Sequence, residues 1–162
     1  MPRPLIVFLA AVAAAALASG CGEGGAAGGA TVRIYVSAPL RGDEAAAGRR
    51  LCDEAREQVA QGRDGEGLEL WVLCLDASWP DGKWTLARVG ANARRATEDS
   101  SAIAYVGEPD PEARRQSRPI LEAAGIAEIG GLSGREAVAK VTAAIAEGDE
   151  SEPRQDVFDA LG

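Results

Sequence analysis

The 162-residue sequence predicts an α/β fold, a three-layer sandwich around a short, mostly parallel sheet of strand order 2-1-3-4. Three observations carry this expectation. Residues 101–129 (SAIAYVGEPDPEARRQSRPILEAAGIAEI) read as strand, sharp loop, helix and strand. That is a βαβ unit, which implies parallel pairing with helices on the faces of the sheet. Upstream, strand-like runs alternate with helical patterns at a matching spacing. The upstream strands, VRIYVS and LELWVLCL, are nearly unbroken in apolar residues, as strands covered on both faces should be. Right-handed crossovers between successive strands then give the order 2-1-3-4.

Taken in order, residues 32–37 form a first strand rich in β-branched and aromatic side chains. After the loop APLRG, Asp43 or Glu44 starts a helix running to about Ala60, with Leu51, Ala55 and Val59 as its core stripe. A glycine-rich turn over 61–67 leads into the second strand, 68–75. Residues 76–84 (DASWPDGKW) are a long loop with a Pro-Asp-Gly turn between two tryptophans. Thr85 caps a helix to about Glu98, whose apolar stripe is Leu86, Val89, Ala93 and Ala96. The third strand, 101–106, is ended by Gly107. Asp110 before Pro111 pairs an N-cap with proline at the first helical position. Ile120, Leu121 and Ala124 continue an apolar stripe, and Gly125 fits the position that closes a helix. Residues 126–129 are too short and apolar for anything but a buried strand. Gly130-Gly131 break the chain, and Ser133 with Glu136 makes a capping box. Val138, Val141 and Ile145 form the buried face of the helix that follows, which Gly148 ends. An acidic linker, 149–152, precedes a short final helix.

Ahead of this domain, Arg3 and the apolar run 5–17 have the form of a secretion signal, too short to span a bilayer comfortably. Ala18, Ser19 and Gly20 lead directly into Cys21. The arrangement resembles a bacterial lipoprotein signal, in which Cys21 becomes the lipidated first residue. It departs from that pattern in placing Ala18, and not a large aliphatic residue, three before the cysteine. An ordinary secretory peptide or a short membrane anchor is the plainer alternative. Residues 22–30 (GEGGAAGGA) loosely match the glycines of a dinucleotide-binding fingerprint. With no strand before them and no helix after, they read as a flexible tether. The expected organisation is a leader over 1–20, Cys21 and its tether over 21–30, and a single α/β lobe over 31–162.

The formal net charge is −8, and removal of Arg3 with the leader makes it more negative. An acidic surface argues against nonspecific nucleic-acid binding. Two further cysteines remain, Cys52 midway along a helix and Cys74 near the end of the next strand. Outside the cytoplasm an even pair in a small domain forms a disulfide, worth about 3 kcal/mol in the loop-entropy model. Two separate buried thiols are the alternative.

Four segments carry a family likeness: 32–42 (VRIYVSAPLRG), DGKW at 81–84, GANARRATED at 90–99, and 104–126 (AYVGEPDPEARRQSRPILEAAGI). In this order and spacing they resemble the amino-terminal lobe of type I periplasmic binding proteins, above all the branched-chain amino acid receptors of ABC transporters. The tail, 134–162, resembles a late segment of those receptors, a helix and then a short helix of the form RQ-x-V-x-DAL, which in the family packs back on the first lobe. The resemblance implies a receptor truncated to one lobe, its two parts joined over 130–133. It also implies a role, solute binding for amino acid uptake through an ABC transporter permease, and a place, lipid-anchored on the outer face of the cell membrane.

In doubly wound sheets ligands bind beyond the carboxyl ends of the strands. That rim comprises residues 37–42, 76–84, 107–110 and 130–133. By the resemblance, the loops after the third and fourth strands offer hydroxyls and backbone amides to an amino acid. The loop Gly107-Glu108-Pro109-Asp110 lacks the hydroxyl, and its carboxylates would repel a ligand carboxylate. The candidate contacts are Ser37, Trp79, Gly107, Glu108 and Ser133, against a plainer reading in which such residues end strands and cap helices. Trp79 and Trp84 either wall an apolar pocket on the rim or pin the loop over the sheet edge, and pinning fits better. The pairs Arg49-Arg50, Arg94-Arg95 and Arg114-Arg115 invite a phosphate, but lie opposite the apolar stripes among acids and fit a solvated, ion-paired face. There is no histidine, hence no Ser-His-Asp triad, no Cys-His pair and no histidine metal site. The expectation is a binding protein and not an enzyme, with no metal and no cofactor. The competing expectation is a degenerate lobe that no longer binds solute and serves as an interaction module or remnant. The missing hydroxyl and missing second lobe favour the latter; the readable leader, tether and lobe framework favour the former.

Overall fold

A strand with partners on both sides organises the molecule. The computed structural model describes residues 30–62, 67–79, 83–108, 110–148 and 151–162. Strand β1 (Thr31–Ala38) pairs in parallel with β2 (Glu69–Asp76), from Thr31 opposite Glu69 to Ala38 opposite Asp76. On its other side β1 pairs with β3 (Ala102–Val106), which pairs in turn with β4 (Ala127–Ile129). The sheet order is β2-β1-β3-β4, all parallel, as the alternation of strands and helices predicts. The leader, Cys21, the tether up to residue 29 and the Pro80-Asp81-Gly82 turn lie outside the described residues.

Helices α1 (Ala45–Gln61), α4 (Gly134–Glu147) and α5 (Pro153–Leu161) cover one face. Helices α2 (Leu86–Thr97) and α3 (Pro111–Glu122) cover the other. The alternation along β1 divides the core: Val32, Ile34 and Val36 join the first layer, while Tyr35 joins the second. Cys52 of α1 and Cys74 of β2 are bonded, with their Cα atoms 6.0 Å apart, within the usual span of a disulfide.

Local caps follow the sequence signals. Thr85 accepts from the Arg88 amide, Asp110 from those of Glu112 and Ala113, and Ser133 and Glu136 complete a reciprocal capping box. Gly125 takes φ +64° after α3, the left-handed turn a closing glycine allows. Three expectations need correction. Cys52 joins Ala55 and Val59 as a fully buried residue of the core stripe of α1, and Leu51 packs against that core only partly buried. Leu86 is 56% exposed, because the first turn of α2 precedes the part of the helix that packs on the sheet. Strand β2 has side chains in both layers, Leu70, Val72 and Cys74 on the α1–α4 side and Leu73 and Leu75 on the α2–α3 side, but the cover is incomplete, since Trp71 is 46% exposed.

Candidate ligand-binding rim

The carboxyl ends of the strands form a rim whose loops are tied down by carboxylates. Asp76, the last residue of β2, accepts from the Leu40 amide at 3.0 Å, the Ser78 amide at 2.9 Å and the Ser78 hydroxyl at 2.5 Å, and pairs with Arg41 at 2.9 Å. Burial pushes its carboxyl up, but the bonds from Ser78 and Leu40 and the Arg41 charge outweigh that and hold it below its ordinary value. The loop beyond is closed by an antiparallel bridge between Ser78 and Trp84 and by the Trp79 amide donating to the Lys83 carbonyl at 2.8 Å. The two tryptophans part company here. Trp84 packs against Ala77, Val89 and Ala113 and pins the loop. Trp79 is 51% exposed, with the Arg88 guanidinium 5.9 Å from its ring centroid.

Beneath the rim, on the α2–α3 side, lies a buried polar cluster. Ser37 is fully buried; its hydroxyl donates to Glu108 Oε1 and accepts from Asn92 Nδ2 at 2.8 Å. Glu108 is fully buried too, so its side chain turns under the rim and does not face an incoming solute. Burial, and then the carboxylates of Glu128, Asp76 and Asp110, push its carboxyl up to about 7 against the opposing Ser37 bond. Glu128 of β4 lies alongside, accepting from the Ser117 hydroxyl at 2.5 Å, with Arg118 Nε at 3.6 Å. Burial raises its pKa as well, opposed by Ser117, Arg118 and Arg114. Tyr105 is fully buried and shifted upward by burial, with Glu108 and Glu128 adding to the shift. Gly107 leaves room for this packing, since a Cβ there would come within 2.5 Å of Glu128 Oε1 and the Glu128 side chain would have to shift.

The structure thus brings Ser37, Gly107 and Glu108 together and leaves two candidates apart. Trp79 stands on the β2–α2 loop, and Ser133 caps α4 in the opposite helix layer, its hydroxyl donating to Glu136 at 2.7 Å. Sequence reasoning missed Asn92, Tyr105, Ser117 and Glu128. Glu128 alone carried a signal, as the one acid in a four-residue apolar strand. The arginine pairs also need correction at one member. Arg114 does not lie on a solvated face; its Nη1 donates to the Glu108 carbonyl at 2.8 Å, half-buried beneath the loop. Arg115 keeps the expected ion pair, with Glu112 at 3.2 Å.

Among the described residues no group of three or more cysteine, aspartate or glutamate side chains is placed to hold a metal ion. No described helix is long and apolar enough to cross a membrane.

No protein-family model and no curated protein matches this sequence. Solved structures are similar to it. One is a leucine-binding protein from Thermotoga maritima, with TM-score 0.50 and 22% identity, covering 61% of this chain and 27% of that one. A second is an ABC-transporter solute-binding protein from R. palustris in complex with 4-hydroxybenzoate, with TM-score 0.53 and 15% identity, covering 82% of this chain and 44% of that one. A third is the substrate-binding protein of a branched-chain amino acid transporter from Streptococcus pneumoniae in complex with isoleucine, with TM-score 0.50 and 16% identity, covering 68% and 32%. The chain therefore spans 27% to 44% of the length of these proteins. What they share with it is the fold, an α/β lobe of the type I periplasmic binding protein kind.

Proposed function

We propose that this chain is an extracytoplasmic, lipid-anchored solute-binding lobe, without enzymatic activity, that takes an amino-acid-sized solute at the carboxyl rim of its sheet. One observation carries the reading: the 2-1-3-4 parallel sheet with its two helix layers is similar to part of several ABC-transporter solute-binding proteins. The leader ending at Cys21 supplies the anchor, and an ABC transporter permease is the partner. On this rim Trp79 offers an exposed aromatic face, while Gly107, buried with its amide donating to Ile129, and Ser133, whose amide donates to Glu136, shape the end of β3 and the start of α4. Ser37 and Glu108 sit behind that surface and shape it from below.

A second reading has its own support, since the hydroxyls of Ser37 and Ser133 are already engaged by Glu108 and Glu136. On that reading the lobe no longer binds solute and docks to a protein. Thermal unfolding with a panel of amino acids and short amides separates the two. A solute at a hundred times its Kd adds about 2.7 kcal/mol, a rise of several degrees for a domain of this size. A reproducible rise with one solute is the expected result; a cooperative melt that no solute moves would leave the interaction module.

A further inference from the structure

Glu108 occupies a position that suits a neutral carboxyl and not a charged one. Its side chain is 0% exposed, and an ionised carboxylate in such a site calls for several donors. Only the Ser37 hydroxyl donates to it; Oε2 has no hydrogen-bond partner among the described residues. Asn92 of α2 fixes that hydroxyl by donating to Ser37 Oγ at 2.8 Å, so the serine proton is directed at Oε1. The charged groups that bear on Glu108 are acids: Glu128 from β4, Asp76 from the end of β2 and Asp110 from the loop before α3. The nearby cations are engaged elsewhere. Arg41 pairs with Asp76, Arg118 lies against Glu128, and Arg114 donates to the Glu108 backbone carbonyl. From β3, Tyr105 brings a buried hydroxyl that also lacks a partner among the described residues.

We propose that Glu108 is a proton-binding site built into the fold: protonated, it stays beneath the rim, and on releasing its proton to water its side chain swings out. Outward movement of the side chain relieves the charge because it hydrates the carboxylate, whereas the buried site has one donor to offer it. The upward shift to about 7 places the change near neutrality, well above the ordinary value of about 4.3 for a glutamate. The native state therefore binds this proton more tightly than the unfolded chain. The stability contributed by Glu108 is full below the ordinary glutamate value and is lost as pH rises towards about 7. The inference does not depend on what the rim binds.

Carbon-13 NMR of the glutamate carboxyls, on the full-length chain in mild detergent, is the test. One resonance is expected to titrate near neutrality and to be missing in Glu108→Gln, which mimics the protonated form. The amides of Gly107, Glu108, Asp110, Glu112 and Ala113 should lose exchange protection, relative to their intrinsic rates, across the same transition. The melting temperature should fall between about pH 5 and pH 8 in the wild type and hold steady in the variant. If every glutamate titrates below about pH 5.5, or if protection of those five amides does not change with the titration, the proposal fails. Should the variant not fold, the wild-type titration and exchange decide the question alone.

Discussion

At the amino end of the sheet, opposite the rim, a single carboxylate shows what full satisfaction achieves. Asp99 accepts from Arg33 Nη1 at 2.9 Å, the Tyr35 hydroxyl at 2.7 Å, the Ser101 amide at 2.9 Å and the Ser101 hydroxyl at 2.6 Å. Burial pushes Asp99 upward, but these bonds prevail and hold it far below the usual carboxylate range. Tyr35 moves the other way, up to about 12, through burial and its bond to Asp99. Glu108, with one donor and acidic neighbours, is the converse case. A depressed carboxyl contributes stability above its unfolded value and loses it as pH falls below that value. Asp99→Asn should therefore cost about 2 kcal/mol at pH 7, by the worth of hydrogen bonds to a charged group, and progressively less below about pH 4. Urea denaturation of both proteins across that range checks it. A difference that stays constant down to about pH 2 would show that the charge is not what stabilises this site.

The same turn anchors a whole element. Arg154, in the first turn of α5, donates Nε to the Ala102 carbonyl at 2.7 Å and Nη2 to the carbonyls of Asp99 and Ser100 at 2.8 and 2.9 Å. Its planar fork thus ties the last helix to the amino end of β3, while Val157 fills the core below. Arg154→Ala should cost about 2–4 kcal/mol in chemical denaturation, and Arg154→Lys should recover less than half, because an ammonium cannot match the fork. Equal stability of the alanine and native proteins would mean that the core contacts of α5, and not the Arg154 fork, hold it in place. Elements were legible in the sequence where the signal is local. Thr85, Asp110 and Ser133 cap the helices they precede, since a cap needs only its own next three residues. Faces were less legible. Whether Leu51 or Cys52, and whether Leu86, meets the core depends on where the neighbouring layer begins and ends. The candidate site was half legible for the same reason. Ser37, Gly107 and Glu108 end strands, but Asn92, Ser117 and Arg114 reach the cluster from helix faces whose partners no local pattern names.

Across the whole molecule, β2 is the more exposed of the sheet's two edges. It has one strand neighbour, β1, and Trp71 stands half out of the protein. Its side chains Leu70, Val72 and Cys74 are only partly buried against the α1–α4 layer. What compensates is covalent: the Cys52–Cys74 bond ties this edge to α1 across a sequence separation of 22. Closing a loop of that length is worth about 3 kcal/mol in the chain-entropy account, so reduction should lower the melting temperature by about 10 °C. The loss should also be uneven. Amides of β2 that bond only to β1 should gain exchange before those of β3, which has strands on both sides. Calorimetry with and without reductant, with free thiols counted afterwards, measures the first effect, and hydrogen exchange of the reduced protein measures the second. Two free thiols with an unchanged melting temperature would mean that packing alone holds the edge. A large drop would tie the stability of the lobe to an oxidising compartment, which is where the proposed lipid-anchored receptor works.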